Sequence, residues 1–235
     1  MISIENQVAV VTGAGRGIGR GIAIELGRLG AKVVLAARSR TELEETAKTV
    51  GTSASVIPTD VRKQDELQRL FEQTSAAVGP VDILVNAAGL GIFGPVVDFK
   101  DSDFETILET NLRGIFFACR FVLPSMIARK RGHIINIASI AGKVGSANRA
   151  VYCASKFGVV GFTESLAEEV RQHGIRASVI CPGSTDTKFS TAETSGKARE
   201  RMLRPEDVAH AVRMIVTQEP NSFISEIIMR PTKKP

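Results

Sequence analysis

The sequence predicts an α/β fold in one domain spanning residues 1–235, a doubly wound, parallel seven-stranded sheet with helices on both faces. Three observations predict it. Short apolar runs alternate with helical patterns along the whole chain, as β-α-β units require. A glycine-rich turn joins the first apolar run to the first helical pattern. No Pro/Ser-rich linker, repeat or shift of composition divides the 235 residues, a length that suits one large core.

Taken in order, residues 7–12 (Gln-Val-Ala-Val-Val-Thr) form a short apolar run without alternation, the pattern of a strand buried on both faces. A helix over 17–29 follows, with Ile22, Ile24, Leu26 and Leu29 at helical spacing. Strands near 32–36, 54–58 and 82–86 alternate with helices near 40–50 and 63–78. A long helix near 101–129 leads to a strand near 133–138, and a second near 151–172 leads to one near 176–181. A helix near 205–218 precedes the last strand, near 223–229. Both long helices carry apolar residues on more than one face, among them Ile107, Leu112, Phe116 and Phe121 in the first and Val159, Phe162 and Leu166 in the second. Such helices need cover on two sides, and the sheet supplies one. The polar stretch 184–204 is longer than most connections and reads as a substrate lid.

With 43% apolar and 23% charged residues the chain reads as globular. Its longest apolar runs, such as Val8 to Val11 and Ile134 to Ile140, are short for a membrane span. The start, Met-Ile-Ser-Ile-Glu-Asn-Gln, has no basic region and apolar core of the signal-peptide kind. Three cysteines, Cys119, Cys153 and Cys181, suggest reduced thiols and a cytoplasmic protein, with Cys153 a small buried helix residue. The net charge of +5 is dispersed, and Arg129-Lys130-Arg131 and Lys233-Lys234 read as a solvated helix end and tail. With no aromatic-rich strands to stack bases, nucleic acid is not an expected partner, whereas anionic ligands are. His133, His173 and His210 lack ligand spacing and read as surface residues, so no metal is expected.

Chemistry enters at the glycine turn, Thr12-Gly13-Ala14-Gly15-Arg16-Gly17-Ile18-Gly19. After a strand and before a helix, its glycines allow a tight turn and close backbone approach. The helix end offers N–H groups and a positive dipole to a pyrophosphate. A flexible loop is the bland alternative, and the flanking strand and helix argue against it. The chain's single tyrosine, Tyr152, stands four residues before Lys156, one helical turn away on the same face. An ammonium about 4 Å from a phenolate stabilises it by roughly 4 kcal/mol at an effective dielectric near 20, or about three pK units. That suits an active-site acid, although Tyr-x-x-x-Lys alone is a common surface pairing.

Together with Asn86-Ala87-Ala88-Gly89, Ser139 and Pro182-Gly183, these motifs resemble the short-chain dehydrogenase/reductase family in order and spacing from about Val8 to Thr187. The resemblance implies a Rossmann-type fold, a nicotinamide cofactor, and hydride transfer between it and a carbonyl or alcohol. It implies Tyr152 as acid, Lys156 as the group that lowers its pKa and holds the nicotinamide ribose, and Ser139 as the hydroxyl that polarises the substrate oxygen. Asn111 matches the fourth catalytic position, where a helix kink holds a water that relays protons to Lys156. Asp60 and Val61 match the adenine-edge contact, while Asn86, Ala87 and Gly89 lie beside the cofactor. Pro182, Gly183, Thr185 and Thr187 follow the sixth strand and face the nicotinamide end, with Thr187 reaching the carboxamide or a phosphate.

Charge decides the form of the cofactor. A carboxylate after the second strand would bind a ribose 2′-hydroxyl and repel a 2′-phosphate. This strand ends Val34-Leu35-Ala36-Ala37-Arg38 instead, and Arg16 lies inside the glycine turn, so NADP(H) is expected. The substrate is expected to be a small carbonyl or alcohol, with 3-oxoacyl-[acyl-carrier-protein] reductase the alternative and a non-catalytic NADP(H) sensor or scaffold a more remote one. In that alternative Arg129, Lys130 and Arg131 would dock an acidic carrier. By resemblance the long helices pair across a two-fold axis, giving a homodimer or homotetramer. The segment after the last strand, Arg230-Pro231-Thr232-Lys233-Lys234-Pro235, departs from the glycine-rich ending common in the family.

Overall fold

A computed structural model describes residues 2–189 and 196–233. Seven parallel strands form one sheet in the order β3-β2-β1-β4-β5-β6-β7. They are β1 (Val8–Thr12), β2 (Lys32–Ala37), β3 (Ala54–Pro58), β4 (Ile83–Asn86), β5 (Gly132–Ile137), β6 (Ile175–Pro182) and β7 (Glu226–Met229). β1, β4 and β5 are buried along their whole length, which is why they read as unbroken apolar runs. The doubly wound expectation holds. β1 pairs with β2 on one side and β4 on the other, so the crossovers diverge there and open a crevice at the strands' carboxyl ends.

Strand alternation divides the core in two. Val8, Val10, Leu84 and Ile134 face one layer, with Leu67 and Leu70 of α3 (Gln64–Ala77), Val122 of α5 (Gly114–Arg129) and Val159 of α6 (Ala150–Val170). Ala9, Val11, Ile83 and Ile135 face the other, with Ile22 and Leu26 of α1 (Gly17–Arg28), Leu43 of α2 (Arg40–Val50) and Val212 of α8 (Pro205–Val216).

The helix expected over 101–129 is interrupted. α4 (Asp101–Leu108) passes into a π-helical turn, Glu109–Arg113, before α5 begins. Two packing demands meet at that turn. A Cβ on Gly114 would lie 2.9 Å from the Val61 carbonyl oxygen, and the buried Asn111 amide reaches across to the Leu90 backbone. Inserted π turns mark functional sites more often than chance. The stretch Asp101–Arg129 is also long and apolar enough, by length and composition, to cross a membrane, contrary to the reading of the apolar runs. Its Ile115, Ala118, Val122 and Met126 are packed in the core of this fold. A four-residue helix, α7 (Gly196–Arg199), lies in the expected lid. Residues 190–195 of that lid lie outside the described residues.

Two surface assignments are corrected. Arg129 and Arg131 are not a solvated helix end: both bind Oδ1 of the buried Asp82 at 2.7 Å, and Val8 N–H donates to Oδ2 at 3.1 Å. Burial opposes the Asp82 charge, but hydrogen bonds from Arg131, Arg129 and Val8 outweigh it and hold the carboxyl below its usual range. His133 is likewise buried, with Nε2 3.2 Å from the Ser178 hydroxyl, which donates to the Ile224 carbonyl. Burial, helped by the Arg176 charge, pushes its pKa down to about 3.

His133 therefore makes folding sensitive to acid. Between about pH 6.5 and 3 the unfolded chain binds a proton that the native state excludes, so stability is full above that window and falls within it. At 1.36 kcal/mol per pK unit the loss reaches up to ~5 kcal/mol. Urea midpoints should fall steeply from pH 6.5 to pH 4, and His133→Asn should flatten that fall. An unchanged slope in the variant would refute the assignment.

Candidate active site

The crevice is built from turns that only small residues can form. Gly13 has φ +70°, and a Cβ there would sit 2.8 Å from the Ala88 backbone. A Cβ on Gly19 would meet the Gly13 carbonyl oxygen at 2.3 Å. The Thr12 hydroxyl accepts from the N–H groups of Ala87 (3.2 Å) and Ala88 (3.3 Å), tying the ends of β1 and β4 together. Gly17 (φ +54°) opens α1, whose first turn carries no carboxylate, and Ile18 packs toward the core beneath. Thr187 lies at this helix end, its Cγ2 3.1 Å from where a Gly17 Cβ would stand. Backbone N–H groups, a positive helix end and absent side chains fit a pyrophosphate.

Around this cradle the expected contacts divide. A Cβ on Gly15 would lie 3.0 Å from the Cβ of Glu42, whose carboxylate pairs with Arg16 at 3.7 Å. Glu42 is thus a carboxylate in the corner that the sequence reading left without one. Arg38 is exposed just beyond β2, and its charge reaches Asp60. Asp60 holds Arg62 through both carboxylate oxygens at 2.6–3.1 Å, and this bond above all keeps its carboxyl below the usual range. Val61 is buried beneath the π turn, at the place where a Gly114 Cβ would clash. The Asn86 side chain donates inward to Asn136 Oδ1 at 2.9 Å, and Asn136 donates on to Thr163, so the Asn86 amide N–H is engaged in the core. Pro182 ends β6, and Gly183 donates to the Met229 carbonyl at 2.8 Å with its face against Pro231. The Thr185 hydroxyl donates to the Gly183 carbonyl at 3.0 Å, while that of Thr187 accepts from Phe189 N–H at 3.2 Å.

The four expected catalytic residues converge beside the cradle. Ser139 follows β5 and accepts from Ala141 N–H at 3.1 Å, with Pro182 O 3.4 Å away. Tyr152, in the first turn of α6, is 7% exposed, and Lys156, one turn on, is 5% exposed. Gly89 leaves a space where a Cβ would stand 3.4 Å from Asn111 Oδ1 and 3.6 Å from Lys156 Nζ. Asn111 clamps both backbone groups of Leu90 at 2.9 Å and donates to the Ser155 hydroxyl at 3.1 Å. Ser155 in turn donates to the Tyr152 carbonyl at 2.7 Å.

Burial dominates the electrostatics of the tyrosine and lysine. Burial raises the Tyr152 phenol above its ordinary range, with the Ser139 hydroxyl and then the Arg149 charge pulling the other way. Lys156 was expected to supply that charge. Its ammonium donates to the Ile137 carbonyl at 3.0 Å and lies 5.9 Å from the centre of the Tyr152 ring. Burial brings the Lys156 pKa down to about 8. At neutral pH the site therefore holds a protonated phenol, ready to donate.

Sequence reasoning missed Ser155, although it stands inside the Tyr-Lys motif, and did not single out three residues around the acid. Phe93 meets Tyr152 edge-on at 5.5 Å, Phe189 lies 5.8 Å from it, and Arg149 stacks 4.7 Å above Phe93. Of the three, Phe189 lies in the stretch 184–204 expected as a lid.

A dinucleotide cradle at a sheet's switch point, with a buried tyrosine and lysine beside it, defines a Rossmann-type oxidoreductase. The chain belongs to the short chain dehydrogenase family, whose model matches residues 7–198. Among its relatives, an uncharacterised oxidoreductase of Staphylococcus aureus (strain MRSA252) is 34% identical over 232 residues, covering 98% of this chain and 100% of that protein. Another, from Staphylococcus saprophyticus, is 37% identical over 235 residues with the same coverage. A metagenomic short-chain oxidoreductase solved in complex with NADP superposes with TM-score 0.87 at 41% identity, over 99% of this chain and 100% of that one. A variant actinorhodin polyketide ketoreductase with NADPH gives 0.89 at 34%, over 95% of each chain. The closed form of a serine dehydrogenase with NADP+ gives 0.88 at 32%, over 95% and 94%.

Proposed function

We propose that this protein is an NADPH-dependent carbonyl reductase, reversibly an alcohol dehydrogenase, with Tyr152 as general acid and base. The observation that carries the proposal is the buried, protonated Tyr152 phenol facing Ser139 beside the glycine cradle. The NADP-bound neighbours and the Arg16 and Arg38 guanidiniums support the phosphorylated cofactor. Gly13, Gly17 and Gly19 with the start of α1 would hold its pyrophosphate, Arg16 and Arg38 its 2′-phosphate, and Lys156 its nicotinamide ribose. When bound it supplies a hydride to the carbonyl carbon. Ser139 donates a hydrogen bond to the substrate oxygen, and Tyr152 passes its proton to that same oxygen. Asn111 fixes Leu90 and, through Ser155, the first turn of α6 that carries the acid.

The carrier-protein alternative loses support, because Arg129 and Arg131 are committed to Asp82. A sensor or scaffold would not need the buried acid. The groove between Phe104, Leu112, Phe116 and Phe162, with Phe116 and Phe157 exposed, supports a homo-oligomer built on α4, α5 and α6. Three buried thiols outside any disulfide support a cytoplasmic protein. The test is NADPH oxidation across ketones, diketones and 3-oxoacyl thioesters. Turnover of simple ketones is expected, and none with any carbonyl would overturn the proposal.

A further inference from the structure

The geometry points to Arg149 as an anchor for a carboxylate on the substrate, making the physiological carbonyl an oxo acid with an apolar portion against Phe93 and Phe189. This rests on the carbonyl reductase reading and deepens it.

Arg149 is the residue just before α6, three positions ahead of the acid. Its guanidinium lies 4.7 Å over the Phe93 ring, and Phe93 in turn meets the Tyr152 ring edge-on at 5.5 Å. Phe189 closes the other side, 6.4 Å from Phe93 and 5.8 Å from Tyr152. The cation therefore stands one aromatic ring away from the proton donor. Among the described residues no carboxylate lies within 4 Å of it, although eleven arginines elsewhere in the chain do have such a partner.

Its placement is built rather than incidental. Asn148, in the left-handed region at φ +61°, presents its carbonyl to the Gly94 N–H at 2.8 Å, so the residue before Arg149 is tied to the residue after Phe93. The Arg149 carbonyl accepts from Cys153 N–H at 2.8 Å, which fixes its backbone to the helix. A guanidinium stacked on a ring keeps its edge N–H groups for a planar anion, and a carboxylate takes two of them at once. The aromatic walls suit carbon, and the cation supplies the directional contact that orients it.

The experiment pairs each oxo acid, with one, two or three carbons between carbonyl and carboxylate, with its methyl ester. It measures kcat/KM for NADPH-dependent reduction by wild type, Arg149→Met and Arg149→Lys. The acid-to-ester ratio cancels any effect of the substitution on Tyr152 itself. Wild type should favour at least one acid over its ester by ~10–100-fold, as a charge-assisted contact allows. Arg149→Met should bring that ratio to about one, and Arg149→Lys should keep part of it. Ratios near one in wild type, or unmoved in Arg149→Met, would overturn the assignment. So would a preference confined to coenzyme A thioesters over their N-acetylcysteamine counterparts, which would place the anion on a carrier phosphate.

A second measurement needs no turnover. Calorimetric titration of the NADP+-loaded enzyme with 3-phenylpropionate should show binding that its methyl ester lacks and that Arg149→Met loses. Equal binding of acid and ester by wild type overturns the anchor. A retained acid preference with no carbonyl reduced would leave the anchor standing and sink the reductase reading instead.

Discussion

Tyr152→Phe should lower turnover by about a thousandfold, within the 10²–10⁴ range of general acid catalysis, while leaving NADPH affinity nearly intact. The substitution removes one oxygen and keeps the ring that packs on Phe93 and Phe189. The fold should survive, since the hydroxyl's partner in the site is Ser139 rather than a core group. The direction of the reaction gives the pH dependence its sign. Carbonyl reduction uses the protonated phenol, which burial favours, so it should hold at neutral pH and decline in alkali. Alcohol oxidation uses the phenolate and should rise with pH. Steady-state rates in both directions, with NADPH affinity measured by fluorescence, test this. A variant that kept a tenth of the wild-type rate would remove Tyr152 from the chemistry.

What could be read in the sequence followed from short-range demands. Strands buried on both faces must be continuously apolar, so β1, β4 and β5 were legible to within a residue or so. The glycine turn was legible because close backbone approach excludes side chains, and Gly13 and Gly19 prove to sit where a Cβ would collide. The misreadings share another cause: each depended on a partner distant in sequence. His133 read as a surface residue because nothing local announces Ser178, 45 positions away. Arg129 and Arg131 read as solvated because their carboxylate, Asp82, comes from another strand end. The π turn needs Val61 and Leu90 to meet one helix, and composition carries no trace of that. Lys156 kept its place one turn after Tyr152, but nothing local announced the bond from its ammonium to the Ile137 carbonyl, 19 positions away. The place of Arg149 depends on the bond from Gly94 N–H to the Asn148 carbonyl, which joins segments 54 positions apart.

Wild type should prefer NADPH to NADH by one to a few powers of ten, and Ala37→Asp combined with Arg38→Ala should reverse that preference. Each charge-assisted contact to a 2′-phosphate contributes roughly 1.5–3 kcal/mol, and about 1.4 kcal/mol is a factor of ten. The structure ranks the two arginines. Arg16 already shares its charge with Glu42 at 3.7 Å, whereas Arg38 has no carboxylate within 4 Å among the described residues. Arg38 should therefore carry the larger part of the preference. Ala37 ends β2 beside Gly15, its Cβ 3.7 Å from where a Gly15 Cβ would stand. An aspartate there enters the corner that receives the ribose, where it can accept from a 2′-hydroxyl and repels a phosphate. Because Arg16 and Arg38 are both exposed, the preference should shrink as salt rises. The measurement is kcat/KM for both cofactors in wild type, in Arg38→Ala alone and in the double variant. Equal efficiencies in wild type would mean that both guanidiniums point to solvent. A double variant that still favoured NADPH would shift the selectivity from Arg38 to Arg16.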